Sequence, residues 1–453
     1  MKKLMHSLAV FLLVGTVSVA EAAWTYDPSA GTLTDGVWGL KATLVSKTTD
    51  QLDIDGSTAT CAGSGPVSMD LTTITDSAGN AYKAVSFAKA LKNTHKTRLS
   101  EFIAPDCKII TGASCFNGFT ALTKVQLNET VELFADRSFY GCSSLVSFYP
   151  RTLNVARIPI SCFSGCSKLA GSFSFPDFKG NSTGGWFSGC GSLEEVLMPK
   201  ATQICGTAFQ GCSSLTNVEV AASVTTIGKL AFNGCSSLKG DCIRAILHSG
   251  ITFLGGDTEA DSREIFAGCA SFDGAFEWNF PNLTSTNVIG SSFFKDCTSL
   301  ARVDILTDVL EIRASSLRNL APGAEIHMPA TVPLWIGAEA IAHATAPYAR
   351  VYLRDNYEAW LDVFGVNHHV FPKDEFNNEA WVEYAEASAR DRNGFVARMK
   401  LDTEMCSVKD GKVTVKKGVL AFVAVRKSGS WGGLTYCWVL KEPKPRGMCV
   451  IVR

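Results

Sequence analysis

An excess of charge of either sign is missing from this chain. Its 42 Lys and Arg against 43 Asp and Glu leave a formal net charge of −1. With no basic surplus to displace counterions, nucleic acid is disfavoured as a partner, and so is simple electrostatic attachment to a membrane. Long apolar runs are missing too. Spanning a bilayer as a helix takes about 20 apolar residues, and no stretch reaches that length. There is no His-Glu-x-x-His, no phosphate-binding Gly-rich loop with its Lys, and no Cys-x-x-Cys. Only His368 and His369 are adjacent histidines, and neighbours on a strand point to opposite faces, so they do not form a metal site by themselves. The carboxylate pairs Glu194-Glu195 and Asp374-Glu375 have no supporting partner nearby and read as solvated positions. No metal, no cofactor and no catalytic set is expected.

What is present begins with a leader. Lys2 and Lys3 precede an apolar stretch from Leu8 to Val19, and Ala20-Glu21-Ala22 has the small-x-small form of a cleavage site. This predicts a signal peptide over 1–22, cleavage near Ala22, and an exported protein, secreted or at the cell surface, with no transmembrane segment in the mature chain. Length and a 46% apolar composition allow two or three folded units.

The dominant feature is a phrase of Phe, two residues and usually Cys. It occurs at Phe139-Cys142, Phe163-Cys166, Phe187-Cys190, Phe209-Cys212, Phe232-Cys235, Phe266-Cys269 and Phe294-Cys297, with a degenerate first copy at Phe116-Asn-Gly-Phe119. Successive Phe residues lie 23, 24, 24, 22, 23, 34 and 28 residues apart, and a degenerate Leu317 follows after 23. Such a period signals one small unit stacked on itself, and the two long intervals mark insertions at about 239–262 and 273–289. Three residues after the Cys stands an apolar residue, as at Leu145, Leu169, Leu193 and Leu215. A short alternating stretch follows, as in Val125-Gln-Leu127 or Val218-Glu-Val220, and reads as a strand. About five residues before the Phe there is an apolar anchor: Phe134, Ile158, Ile204, Ile227, Ile289, Ile312. No single turn can bury this set, whereas stacked turns align it into ladders, and the strands should form one parallel sheet. The Gly before most of the Cys residues suits a turn with positive φ.

The full unit is anchor-x4-Phe-x-Gly-Cys-Ser-Ser-Leu-x-x-Val-x-apolar, clearest from Ile204 to Val220 and from Ile227 to Leu238. It resembles the BspA-type leucine-rich repeat family of bacterial surface proteins and parasite surface antigens. The resemblance spans about residues 105–335. It implies an α/β leucine-rich repeat solenoid of about eight turns, closed by a terminal strand and short helix for which residues 349–360 are the candidate.

The expected organisation is a signal peptide (1–22), a β-rich N-terminal cap (24–100), the repeat array (101–335), a terminal cap with a helical connector (336–394) and a small β module (395–453). Within these, short helices are expected over 86–97, 336–347 and 374–392. Sixteen cysteines in an exported chain would ordinarily suggest disulfides. Seven of them share one inward slot of the repeat, which predicts a ladder of buried free thiols instead. Among Cys406, Cys437 and Cys449 one disulfide remains open.

A regular stack presents a long surface, which favours binding over chemistry. The residues expected to point outward from the strands are Gln126, Tyr149, Ser174, Leu197, Glu219, Glu277 and Asp304, flanked by Lys124, Glu195, Asn217 and Arg302. A mixed column with an aromatic member fits a protein-binding strip, and the partner is expected to be a protein or a glycan. Two other roles stay open: an envelope or matrix component held through the C-terminal region, and an exported enzyme whose repeats present substrate.

Overall fold

The computed structural model describes residues 23–329, apart from 47, 181–183, 256–263 and 284–286, and beyond them residues 331 and 340–341 and the backbone of the later strands. The expected signal peptide, most of the expected helix over 336–347, the part of the terminal element after Leu353, and Cys449 lie outside the described residues.

Each coil has three sides. The first is a strand of the face sheet. Val67–Asp70, Leu99–Ile103, Lys124–Gln126 and Ser147–Tyr149 pair in parallel, coil upon coil. So do Gly171–Ser174, Leu193–Met198 and Asn217–Val220, and then Gly274–Trp278, Leu300–Ile305, Glu325–His327 and Ala349–Leu353. The second side was not anticipated. The anchor residues sit in a second parallel ladder of very short strands, such as Gln203–Ile204, Thr226–Gly228 and Phe253–Gly255, or Val288–Ile289 and Glu311–Ile312. One parallel sheet was expected, and two ladders are found, because both the alternating stretch and the anchor bring an extended backbone beside its copy in the next coil.

The third side is the Phe turn, with no regular secondary structure but a full set of cross-coil hydrogen bonds. The Phe139 N–H donates to the Cys162 carbonyl at 2.9 Å, that of Phe187 to Ala208 at 2.8 Å, and that of Phe209 to Ala231 at 2.8 Å. Two residues on, the Gly141, Gly165, Gly189 and Gly211 N–H groups each donate to the next coil at 2.7 Å. Gly165 shows why glycine holds this slot: its φ is +80°, and a Cβ there would lie 3.2 Å from the Gly141 Cα below. The rings between these turns stack almost flat. From Phe116 to Phe139, Phe163 and Phe187 the centroids are 5.4, 5.6 and 5.3 Å apart, with interplanar angles of 3°, 8° and 4°.

The repeated cysteines belong to the same ladder. The Cys142 thiol donates to the Phe116 carbonyl of the preceding coil at 3.1 Å, Cys166 to Phe139 at 3.1 Å, Cys190 to Phe163 at 3.0 Å and Cys212 to Phe187 at 3.0 Å. Cys235, Cys269 and Cys297 repeat the contact with Phe209, Phe232 and Phe266. A small side chain with one weak donor fits a buried slot beneath a carbonyl. The described cysteines are free thiols, all buried except Cys61. Burial pushes the Cys107 and Cys212 thiols up to about 12, against an ordinary 9.0, and that of Cys242 to about 11.

Parallel stacking begins before the Phe phrase does. Ala81–Phe87 pairs in parallel with Gln51–Cys61 on one side and Ile109–Ile110 on the other, so the N-terminal strands run straight into the anchor ladder. The helix expected over 86–97 is reduced to a 3-10 turn at Asn93–His95, because Ser86 and Phe87 are committed to that strand pairing. The helix expected over 374–392 is also corrected. Ala380–Ala385 is a strand, antiparallel to Phe395–Leu401, and its Trp381, Val382 and Tyr384 are residue types enriched in strands. The sheet closes through Val419–Arg426 to Thr435–Lys441, which pairs in parallel with Ala349–Leu353.

The face sheet breaks twice, and at each break an arginine lies over a core phenylalanine. After Ser147–Tyr149 only Thr152 bridges to Ser174. There Arg151 lies 4.6 Å over the Phe173 ring and Nη2 reaches the Val146 carbonyl at 3.4 Å, while Nη1 is buried with no hydrogen-bond partner. After Asn217–Val220 the helix Gly240–Ile246 takes the place of the next strand. Its Cys242 sulfur accepts the Val218 N–H at 3.2 Å. Its Arg244, 5.8 Å from the Phe272 ring, donates to the Asp273 and Ala275 carbonyls at 2.8 and 3.1 Å and to the Asp241 carboxylate at 2.8 Å.

Two outcomes follow from this packing. Arg244→Met should lower unfolding free energy by about 2 kcal/mol, since it strips partners from strand-edge carbonyls. Arg151→Met should change it by less than about 1 kcal/mol, because a poorly partnered guanidinium is exchanged for apolar packing. Urea denaturation of both variants checks the contrast, and equal losses would contradict it. Alkali supplies the second outcome. Below the ordinary thiol value of 9.0 both states keep the proton, and above it the unfolded chain ionises first while Cys212, raised to about 12, stays protonated in the fold. The thiols' contribution is therefore whole below pH 9.0 and is lost as pH climbs toward that raised value. The urea midpoint should hold flat up to pH 9.0 and fall above it, each thiol costing about 1.4 kcal/mol per pH unit. A midpoint indifferent to alkali would mean that the thiols are not buried as described.

Candidate binding face

The outward residues of the face strands are set by register. On a parallel stack with period-two alternation, each inward residue sits on its copy, and so does each outward one. Val125 aligns with Phe148, and Gln126 beside it aligns with Tyr149. Ser174, Leu197 and Glu219 form one column, with Glu195 and Asn217 in the next. Glu277 aligns with Asp304, and Arg302 with Glu325. The inward Phe and Cys residues of the repeat, from Phe139 and Cys142 through Phe163, Cys166, Phe187, Cys190, Phe209, Cys212, Phe232, Cys235, Phe266 and Cys269 to Phe294 and Cys297, are all buried.

The breaks divide these residues into three groups rather than one strip: Lys124, Gln126 and Tyr149; Glu195, Leu197, Asn217 and Glu219; Glu277, Arg302 and Asp304. Each group has its own character. In the first, Tyr149 is 47% exposed, and so is Val146 earlier in the coil, at 50%. Lys124 lies 3.8 Å from Glu101 of the preceding coil. In the second, Glu195 is held by Ser172 at 3.2 Å and Asn217 at 2.9 Å, while Glu219 stands exposed. In the third, Arg302 closes on Asp304 with two hydrogen bonds of 2.8 Å. Asp304, expected to face solvent, is only 8% exposed, because this clasp covers it. His327 and Glu325 extend the cluster, 3.7 Å apart.

Sequence reasoning did not include Ser68, Asp70, Glu101 and Ile103, which extend the first group's columns toward the N-terminus. Their alternation was legible, but they precede the first Phe phrase. One string with the spacing of a nucleophile elbow occurs, Gly180 to Gly184. Its Ser182 lies outside the described residues, and turns follow it where an elbow requires a helix. Among the described residues no group of three His, Cys, Asp or Glu is placed to hold a metal ion, and no helix is long and apolar enough to cross a membrane.

Comparison with solved structures finds similarity to a leucine-rich repeat protein of T. pallidum, 19% identical over 49% of this chain and 96% of that one, with a TM-score of 0.36. A leucine rich cell surface protein from Faecalibacterium prausnitzii is 17% identical, with 73% and 97% coverage and a TM-score of 0.40. The pneumococcal vaccine antigen PcpA is 12% identical, with 74% and 95% coverage and a TM-score of 0.31. Comparison with curated proteins gives no match. The family model of the BspA type leucine rich repeat region matches six copies over residues 90–201, 180–249 and 261–343, together more than half of the chain. Stacked parallel strands, a Phe-x-Gly-Cys turn that recurs in six coils and this match lead to one conclusion: the chain belongs to the BspA-type leucine-rich repeat family.

Proposed function

We propose that this is an exported, noncatalytic recognition protein that docks a macromolecular partner, most simply a protein, on the outer face of its strands. The observation that carries this reading is the first face group. There an exposed Tyr149 and an exposed Val146 stand on a rigid, regular scaffold, in contrast to the self-paired third group, where Arg302 and Asp304 neutralise each other. Tyrosine supplies large contact area at small entropic cost, and interface hot spots are enriched in it. Glu219 and Glu277 are exposed, have no ion pair among the described residues, and would set the charge preference of the partner. The leader at Lys2 to Ala22 supports export, and the relatives named above include a cell surface protein.

The test is a binding screen of the purified full chain against extracellular-matrix proteins, host-cell surface extracts and glycans. It is repeated with Tyr149→Ala and with Glu219→Lys/Glu277→Lys. A genuine face partner should lose about tenfold or more in affinity on Tyr149→Ala, as an aromatic hot spot does, with the unfolding midpoint unchanged. A partner indifferent to all three changes would move the site elsewhere. A chain that binds nothing, yet is retained on its own cells through residues 395–453, would favour a structural role in the envelope or matrix.

A further inference from the structure

Two rows of side chains run along the Phe turns, on a different side of the coil from the face strands. One row stands two residues before each Phe, the other one residue after it. Over the early coils a groove of about 400 Å³ opens between them. One row contributes Asn117, Tyr140, Ser164 and Ser188, the other Arg137, Ser161, Gly185 and Thr207. It crosses five coils, a length of about 19 Å at the strand spacing.

The later coils act as an internal control. There Gln210 and Leu230 fill the space in the same slots, and Asn233 pairs with Glu264 at 3.0 Å across the rows. In the groove Ser161, Ser164, Gly185 and Ser188 leave that space open, and no such side-chain pair forms across the rows among the described residues. Among the described residues the hydroxyls of Tyr140, Ser161, Ser164 and Ser188 and the guanidinium of Arg137 have no side-chain partner. Gly185, with φ at +75°, keeps the floor clear, since a Cβ there would come within 2.9 Å of the Ser161 hydroxyl. Tyr140 is 43% exposed, so its ring is available at one end, in the same coil as the unpaired Arg137.

A row of free hydroxyls at regular spacing, one open aromatic ring and one cation without a counter-charge is the chemistry that receives a sugar chain. Hydroxyls exchange hydrogen bonds with sugar hydroxyls, and an aromatic face packs on sugar C–H groups. The step from coil to coil is close to the step from ring to ring of a linear pyranose chain. An extended peptide would call for apolar side-chain pockets along the groove, and Tyr140 alone provides apolar surface. We propose that this groove binds a linear oligosaccharide that bears a carboxylate at the Arg137 end, by a charge-assisted hydrogen bond.

The experiment titrates the full chain by calorimetry with three acidic probes: trigalacturonate, a hyaluronan hexasaccharide and sialyllactose. The methyl ester of whichever binds is the uncharged control. The variants are Arg137→Gln, Tyr140→Ser, which installs the residue found at Ser164, and Ser188→Gln, which installs the residue found at Gln210. Because the chain already carries the last two residues in these slots, the fold should hold, and the unfolding midpoint verifies it. At least one acid is expected to bind about tenfold more tightly than its ester, and Arg137→Gln should erase that difference. Tyr140→Ser and Ser188→Gln should weaken acid and ester alike, while Tyr149→Ala on the strand face should change neither. Failure of all three probes to bind at millimolar concentration overturns the proposal. Binding untouched by Ser188→Gln, or matched by hexaglutamate, overturns it as well.

Discussion

Everything in this molecule rests on the backbone hydrogen bonds that pass from one Phe turn to the next. A coil that bends this tightly has too little room for regular structure at its corner, and a corner without partners would leave N–H groups buried and unsatisfied. Alternate residues of the turn solve this by donating to the next coil, at Phe139 and Gly141 as at Phe187 and Gly189. The left-handed backbone at the glycine aims its N–H along the solenoid axis. Once that geometry is imposed, the rest follows. The Phe rings have one orientation open to them and stack within a few degrees of parallel. The next residue inward has to be small and has a carbonyl below it, and cysteine satisfies both conditions.

This explains an oddity of composition. Sixteen cysteines would ordinarily suggest a disulfide scaffold, yet the repeated ones are free thiols that hydrogen-bond to carbonyls of the preceding coil. Burial keeps the proton on Cys166, Cys190, Cys212, Cys235, Cys269 and Cys297, which removes the thiolate needed for exchange or oxidation. The ladder therefore serves packing and needs no oxidising environment. It also leaves the outside of the solenoid free of structural duty. Face residues and turn rows vary from coil to coil while the inside repeats, and that variation is what a recognition surface requires.

Much of this was legible in the sequence, and the limits have physical causes. The inward set of Phe, Cys, Leu and anchor could be read because burial demands the same residue type at the same place in each coil. The outward columns could be read because strand alternation fixes them once the inward residues are known, and Gln126 and Tyr149 do align. The second ladder could not be read, because strands of two residues such as Gln203–Ile204 have no period to detect. The breaks were half visible. The 34-residue interval between Phe232 and Phe266 announced an insertion, but not that a helix would replace a strand and close its edges with Cys242 and Arg244. Asp304 was misplaced because its cover comes from Arg302 on its own strand, a side-chain choice that alternation does not encode. The groove left no motif, since what defines it is the shortness of Ser161, Ser164 and Ser188 relative to Leu230, Asn233 and Gln210 in the same slots of later coils.

The most direct test of the central claim is native-state hydrogen exchange of the turn amides. The Phe139, Phe163, Phe187 and Phe209 N–H groups, with those of Gly141, Gly165, Gly189 and Gly211, lie at corners that carry no helix or strand. If the cross-coil ladder holds the solenoid together, these amides should exchange as slowly as those of the face strands, and only through unfolding of the array. Exchange at the rate of ordinary surface turns, with the face strands still protected, would show that the strands alone carry the fold and that the account is wrong.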